Sequence, residues 1–113
     1  MSKKDEKIAL YQKAAADLKL GLDDAFIAKV TDGLGPSIYN KDAETVSCSD
    51  VSELERVREN FLKKKLGLSD DDATLDAAIK EVCEQMGSSN RNKYRALFYA
   101  LLARKFGKES VYA

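Results

Sequence analysis

The chain has 113 residues, 44% of them hydrophobic and 34% charged, with 19 basic side chains, 19 acidic ones and no histidine. That length fits one domain, 1–113, able to bury about two-thirds of the surface its unfolded chain exposes, and its regularly spaced apolar residues argue against a disordered chain. Zero net charge removes long-range steering toward nucleic acid or an anionic membrane, and the lack of histidine removes the usual neutral-pH base and the commonest metal ligand.

One proline and six glycines are too few for a turn-rich β-sandwich, so the composition favours helices. Nothing in Met-Ser-Lys-Lys-Asp-Glu-Lys resembles a secretion signal. The longest apolar run, Ala96 to Ala103, is eight residues, far short of the roughly 18–20 that span a bilayer. A cytoplasmic protein is expected, with no membrane partner. Cys48 and Cys83 are too few for a secreted disulfide scaffold. Two free thiols are predicted, with a single Cys48–Cys83 bridge as the alternative.

Five helices are predicted, which makes the fold class all-α. The first covers about Lys3 to Lys19, with Ser2 as N-cap, a stripe of Ile8, Tyr11, Ala15 and Leu18, and Gly21 as its left-handed stop. The second covers about Asp24 to Asp32 behind Asp23 or Asp24, with Phe26, Ile27 and Val30 inward. Gly33 and Gly35-Pro36 are expected to end it. Residues 36–49 continue no helical pattern beyond one short turn over Ser37–Asn40, and Thr45–Cys48 read as extended. Ordered connections of this length are often functional, which makes Pro36, Ser37, Tyr39, Asn40 and Cys48 a candidate interaction loop.

The third helix, about Val51 to Leu66, has two overlapping capping boxes (Asp50 with Glu53, Ser52 with Glu55) and ends at Gly67. The fourth, about Asp70 to Met86, is read as starting at Ser69. Its inward face is Leu75, Ile79, Val82, Cys83 and Met86. The fifth covers about Asn90 to Phe106 and is read as starting at Ser88 or Ser89. Around it, Tyr94, Leu97, Phe98, Leu101 and Leu102 share one face, Ala96, Ala100 and Ala103 lie opposite, and Tyr99 and Phe106 flank them. A helix apolar all round is buried all round. It is therefore predicted at the centre of the array, or else with its second face on another subunit in a homo-oligomer.

Charge is divided between the last two helices. Ser69–Gln85 holds six acids and one lysine, whereas Ser88–Lys108 holds six cations and no acid. Antiparallel packing of the two helices would neutralise much of both. Ser88, Ser89, Asn90, Arg91 and Arg95, at the predicted start of the last helix, form a candidate anion site, because unpaired backbone N–H groups and the dipole favour an anion there. Cys48 stands just before a helix, where a thiolate would be stabilised, but has no evident base. No metal set, cofactor motif or catalytic constellation is present. A phosphate loop is excluded at Gly33–Ser37, which lacks the Gly-Lys-Ser/Thr ending and follows a helix.

The strings Gly33–Asn40 (GLGPSIYN), Asp42–Asp50 (DAETVSCSD) and Met86–Tyr112 (MGSSNRNKYRALFYALLARKFGKESVY) resemble a small bacterial family catalogued as a domain of unknown function. The resemblance implies a helical fold and a bacterial origin, and brings no activity, ligand or site residues. The functional expectation is a non-catalytic interaction or self-association module acting through the last helix and the 36–49 loop. The alternative is a protein that binds a small anion or phosphometabolite at the last helix's start.

Overall fold

A computed structural model describes residues 2–112. Helix α1 spans Lys3–Asp17, and Ser2 caps it by accepting from the Asp5 backbone N–H. It closes two residues before the expected Lys19. Leu20 N–H reaches Ala15 O and Lys19 N–H reaches Ala16 O, the paired bonds of a Schellman ending. The left-handed residue of that ending is Lys19, at φ 55°, and not Gly21, which lies two residues further on.

Helix α2, Asp24–Leu34, is capped by Asp23 and buries Ile27, Val30 and Thr31. Gly33 does not stop it. It sits inside the helix, where a Cβ would come 3.1 Å from the Tyr112 ring. Its role is close approach rather than termination. The true break is Gly35, at φ 64°, which leads into a 3-10 segment over Gly35–Tyr39. Helix α3 is a single turn, Lys41–Glu44, capped by the Asn40 side chain. Sequence reading had left this turn out, because it buries no residue of its own.

Helix α4, Val51–Arg56, begins at Asp50, whose carboxylate accepts from Ser52 and Glu53 N–H. It continues as a π-helical segment over Val57–Lys65 that buries Val57, Phe61 and Leu62. Helix α5, Asp72–Gln85, is capped by Asp71, two residues beyond the expected Ser69. Helix α6 spans Arg95–Lys105. Leu97, Phe98, Leu101 and Leu102 on one face and Ala96, Ala100 and Ala103 on the other are all buried. Tyr99 and Phe106 pack partly buried against the same core, and Tyr99 stacks on Phe61 at 3.8 Å between ring centroids. The helix meets α1, α2, α3, α5 and the closing 3-10 turn, Glu109–Tyr112.

Burial of α6 follows from its composition. Its alanine face lets neighbouring backbones approach, while its leucine and phenylalanine face fills the larger gap. One cluster of buried side chains runs from Tyr11 to Ala103 around it. Of the residues expected in the core or at a subunit interface, Leu97, Phe98, Leu101 and Leu102 are buried within the chain, while Tyr99 and Phe106 keep part of their surface exposed. Among the described residues no helix is long and apolar enough to cross a membrane.

The acidic face of α5 is neutralised differently from the sequence-based expectation. Arg58 pairs with Asp76 and Asp72, and Lys63 with Asp72, so these two acids are met by the preceding helical segment. Only Glu81 reaches the last helix, through Lys105. Arg104 is turned to another task, donating to the carbonyls of Leu20 and Gly21 and tying the α1–α2 connection to α6.

Candidate functional site

Two regions singled out in the sequence for separate reasons, Cys48 and Ser88–Arg91, meet in one cleft of about 720 Å³. That volume falls within the range of small-molecule sites. One wall is the extended segment Thr45–Ser49 and the other is the turn Ser88–Lys93. Cys83 and Glu84 on α5 complete the lining.

The first wall is held from three directions. Thr45 forms an antiparallel bridge with Tyr94, and Val46 N–H donates to Lys93 O at 2.9 Å. Arg95 then fastens the segment from below. Its Nε donates to Ala43 O at 2.6 Å and one terminal nitrogen to Thr45 O at 3.3 Å, while the other reaches the Tyr99 hydroxyl at 3.0 Å. The same guanidinium pairs with Glu53 at a site where both side chains are largely buried. Burial opposes ionisation of Glu53, yet hydrogen bonds from Arg95 and Arg56 outweigh it and hold the carboxyl below its ordinary range. Burial also opposes charge on Arg95, and Tyr99 and Glu53 more than compensate. On the far side of α3, Glu44 accepts from Tyr11 Oη at 2.6 Å and from Lys7, which ties the segment back to α1.

The third restraint is covalent. Cys48 and Cys83 form a disulfide, with Cα atoms 6.1 Å apart. The expectation of two free thiols is therefore corrected. The bridge kept as the alternative forms across a sequence separation of 35, because the extended 45–49 segment crosses the end of α5 where Cys83 sits. Cys83 is 8% exposed, as its apolar stripe suggested, and Cys48 is partly exposed.

The second wall is a turn, which corrects the expected helix start at Ser88 or Ser89. Gly87 takes φ 98°. Asn90 donates from its side chain to Met86 O and accepts from Asn92 N–H. Asparagine's ability to mimic a backbone turn accounts for this, and it commits Asn90 to building the loop. The helix starts only at Arg95, behind Tyr94 and without a side-chain cap. The candidate anion group is thereby divided. Ser88, Ser89, Asn90 and Arg91 line the cleft, Arg95 does not, and no helix N-terminus faces the four that do.

Lys93, which the sequence marked only as a neighbour of these residues, stands out in the structure. It is 7% exposed and lines the cleft. Its ammonium donates to Asn90 O at 2.6 Å and makes no ion pair among the described residues. A buried cation normally has a carboxylate partner. Exposed Arg91 makes no ion pair either, and Ser47, Ser49, Ser88 and Ser89 add hydroxyls. Glu84 is the acid among the lining residues.

The rest of the predicted interaction loop lies elsewhere. Ser37 Oγ donates to Leu34 O, Asn40 caps α3, and Pro36 and Tyr39 are exposed. None of the four lines the cleft, so of that loop only Cys48 belongs to it.

A family model described as "Protein of unknown function (DUF2853)" matches residues 9–110, and the chain belongs to that family. No curated protein matches the chain.

Proposed function

We propose that this member of the DUF2853 family is a non-catalytic binding protein for a small, multiply charged anion, such as a phosphometabolite, and that the anion sits between Thr45–Ser49 and Ser88–Lys93. The observation that carries this reading is Lys93, a residue only 7% exposed, whose ammonium is bonded to one carbonyl and paired with no carboxylate among the described residues. A bound anion would supply the missing counter-charge. Arg91 would add a second cation at the mouth, and the four serines would supply hydroxyl donors. Recognition by side chains on a turn replaces the helix-dipole mechanism that the sequence suggested.

Self-association through the last helix is the weaker reading, because both faces of α6 are covered within the chain. We take the protein to work in the cytoplasm, where disulfides are rare and usually transient.

The test is a thermal-unfolding titration with inorganic phosphate and pyrophosphate, run at constant ionic strength. Saturable stabilisation is expected, larger for pyrophosphate, and lost in Lys93→Gln and reduced in Arg91→Gln. No stabilisation by either anion, or stabilisation untouched by both substitutions, refutes the reading.

A further inference from the structure

We propose that the Cys48–Cys83 disulfide is the reaction partner of an anionic low-molecular-weight thiol docked in the same cleft, so that the chain undergoes reversible thiol–disulfide exchange. The inference rests on the anion-binding reading above and gives the anion a chemical class, a thiol that also carries carboxylates.

Both bridging residues line the cleft, and they differ in access. Cys48 is partly exposed and Cys83, on α5, is buried. Exchange begins with attack by a thiolate on the sulfur it can reach, and its rate depends on that access. Cys48, the more exposed half of the bridge, therefore offers the sulfur that is attacked. Two cations that make no ion pair among the described residues, Lys93 and Arg91, share the cleft with it. They would raise the local concentration of a thiol bearing carboxylates and would stabilise charge as the thiolate approaches. Glu84 works against them, one acid facing two bases.

In the first step the thiolate sulfur bonds to Cys48 Sγ. The electron pair of the Cys48–Cys83 bond leaves on Cys83 Sγ, which takes a proton from water. A second thiolate then attacks the thiol's own sulfur in the mixed disulfide and releases Cys48 as a thiolate, which is protonated in turn. Two thiols lose two electrons and become a disulfide, and the protein gains those two electrons and two protons as a dithiol. The same steps in reverse reoxidise it.

The local structure suits a bond that opens and closes. With the bridge broken, Thr45 and Val46 remain fixed by the strand contact to Lys93 and Tyr94 and by the Arg95 donations. Asp50 still caps α4. The freed stretch is limited to Ser47–Ser49, so Cys48 stays near Cys83 for reclosure.

The experiment follows opening of the bridge in the full oxidised chain by thiol counting and intact mass. It compares 3-mercaptopropionate, which carries a carboxylate, with neutral 2-mercaptoethanol, and expresses rates per thiolate. An advantage of about tenfold for the carboxylate thiol at low salt is expected, shrinking as salt is added. Arg91→Gln and Lys93→Gln should each reduce it, whereas Lys29→Gln on α2, an equal loss of charge, should leave it intact. If Lys93→Gln fails to fold, Arg91→Gln decides alone, because that side chain is exposed. Equal rates for the two thiols in the unmodified chain, or an advantage that survives Arg91→Gln, overturns the proposal. Phosphate stabilisation measured on the same samples separates the two readings. If it persists while the rates are equal, exchange alone is refuted; if both are lost, the anion site goes too.

Discussion

Opening the Cys48–Cys83 bridge should destabilise the fold without abolishing it. The bridge closes a loop across a sequence separation of 35 residues. On the chain-entropy model, a loop of that size removes about 13 cal/mol/K from the unfolded ensemble, or about 4 kcal/mol at 25 °C. With an unfolding entropy of about 2.1 cal/mol/K per residue, that loss lowers the melting temperature by roughly 16 °C. The native state has no compensating rearrangement to make, because the backbone bridge at Thr45 and the Arg95 donations persist. The protein should therefore remain folded at 25 °C, since typical stabilities are about 5–15 kcal/mol. Calorimetry on the oxidised chain, the chain held in a phosphine reductant, and a Cys48→Ser/Cys83→Ala double variant would measure this. The reduced chain and the double variant should melt close together, both well below the oxidised chain, and the double variant should ignore reductant. A fully reduced sample, verified by thiol count, that melted within a few degrees of the oxidised one would refute the reasoning.

Arg95→Met should cost about 3 kcal/mol in urea unfolding, because it removes the donations to Ala43 O and Thr45 O and leaves the largely buried Glu53 carboxylate with Arg56 alone. Adding Glu53→Gln should restore part of that loss, and strictly additive effects would show that the two residues are not coupled. The Glu53 carboxyl is held below its ordinary value of 4.5, so its contribution is fully present above that pH and disappears as pH falls through the folded-state value. The urea midpoint should drop on acidification below about pH 4.5, and the drop should be shallower in Glu53→Gln. Lys19→Gly should gain about 1 kcal/mol by relieving a left-handed residue, and Gly107→Ala should lose a similar amount at φ 64°. Thermal melts of both variants check the pair, and a destabilised Lys19→Gly would contradict the local account.

Much of the architecture could be read in the sequence because helix ends carry local chemistry. Ser2, Asp23 and Asp50 accept the first free N–H groups where the sequence placed a helix start. Burial of α6 followed from eight consecutive uncharged, mostly apolar positions. The errors arose where one residue type serves two local structures. Asn90 and its neighbouring serines suit an N-cap and an asparagine-built turn equally well, and only tertiary contacts select the turn. Ser69 and Asp71 can both cap a helix, and the cap used is Asp71 rather than the expected Ser69.

The candidate site was less legible, because it joins segments about 40 residues apart. Cys48 and the Ser88–Arg91 string were both conspicuous, but nothing local indicated that they share a cleft. Arg95 resembled its basic neighbours Arg91 and Lys93 in sequence. Its fate, four hydrogen bonds and an ion pair beneath the 45–49 segment, depends on the partners that folding brings to it. Lys93 gave no signal of its own, since a lysine in a basic stretch is ordinarily solvated.

The placement of α6 bears on how the protein comes into being in the cell. Translation produces α1 to α5 first, and α1, α2 and α5 leave the ribosome with oily faces whose mate has yet to be made. Until residues 95–105 emerge, that material is greasy and adhesive, and native packing cannot be completed. Folding is thus tied to a late synthetic event, and a premature stop anywhere before Arg95 would yield a polypeptide suited to chaperones and proteases.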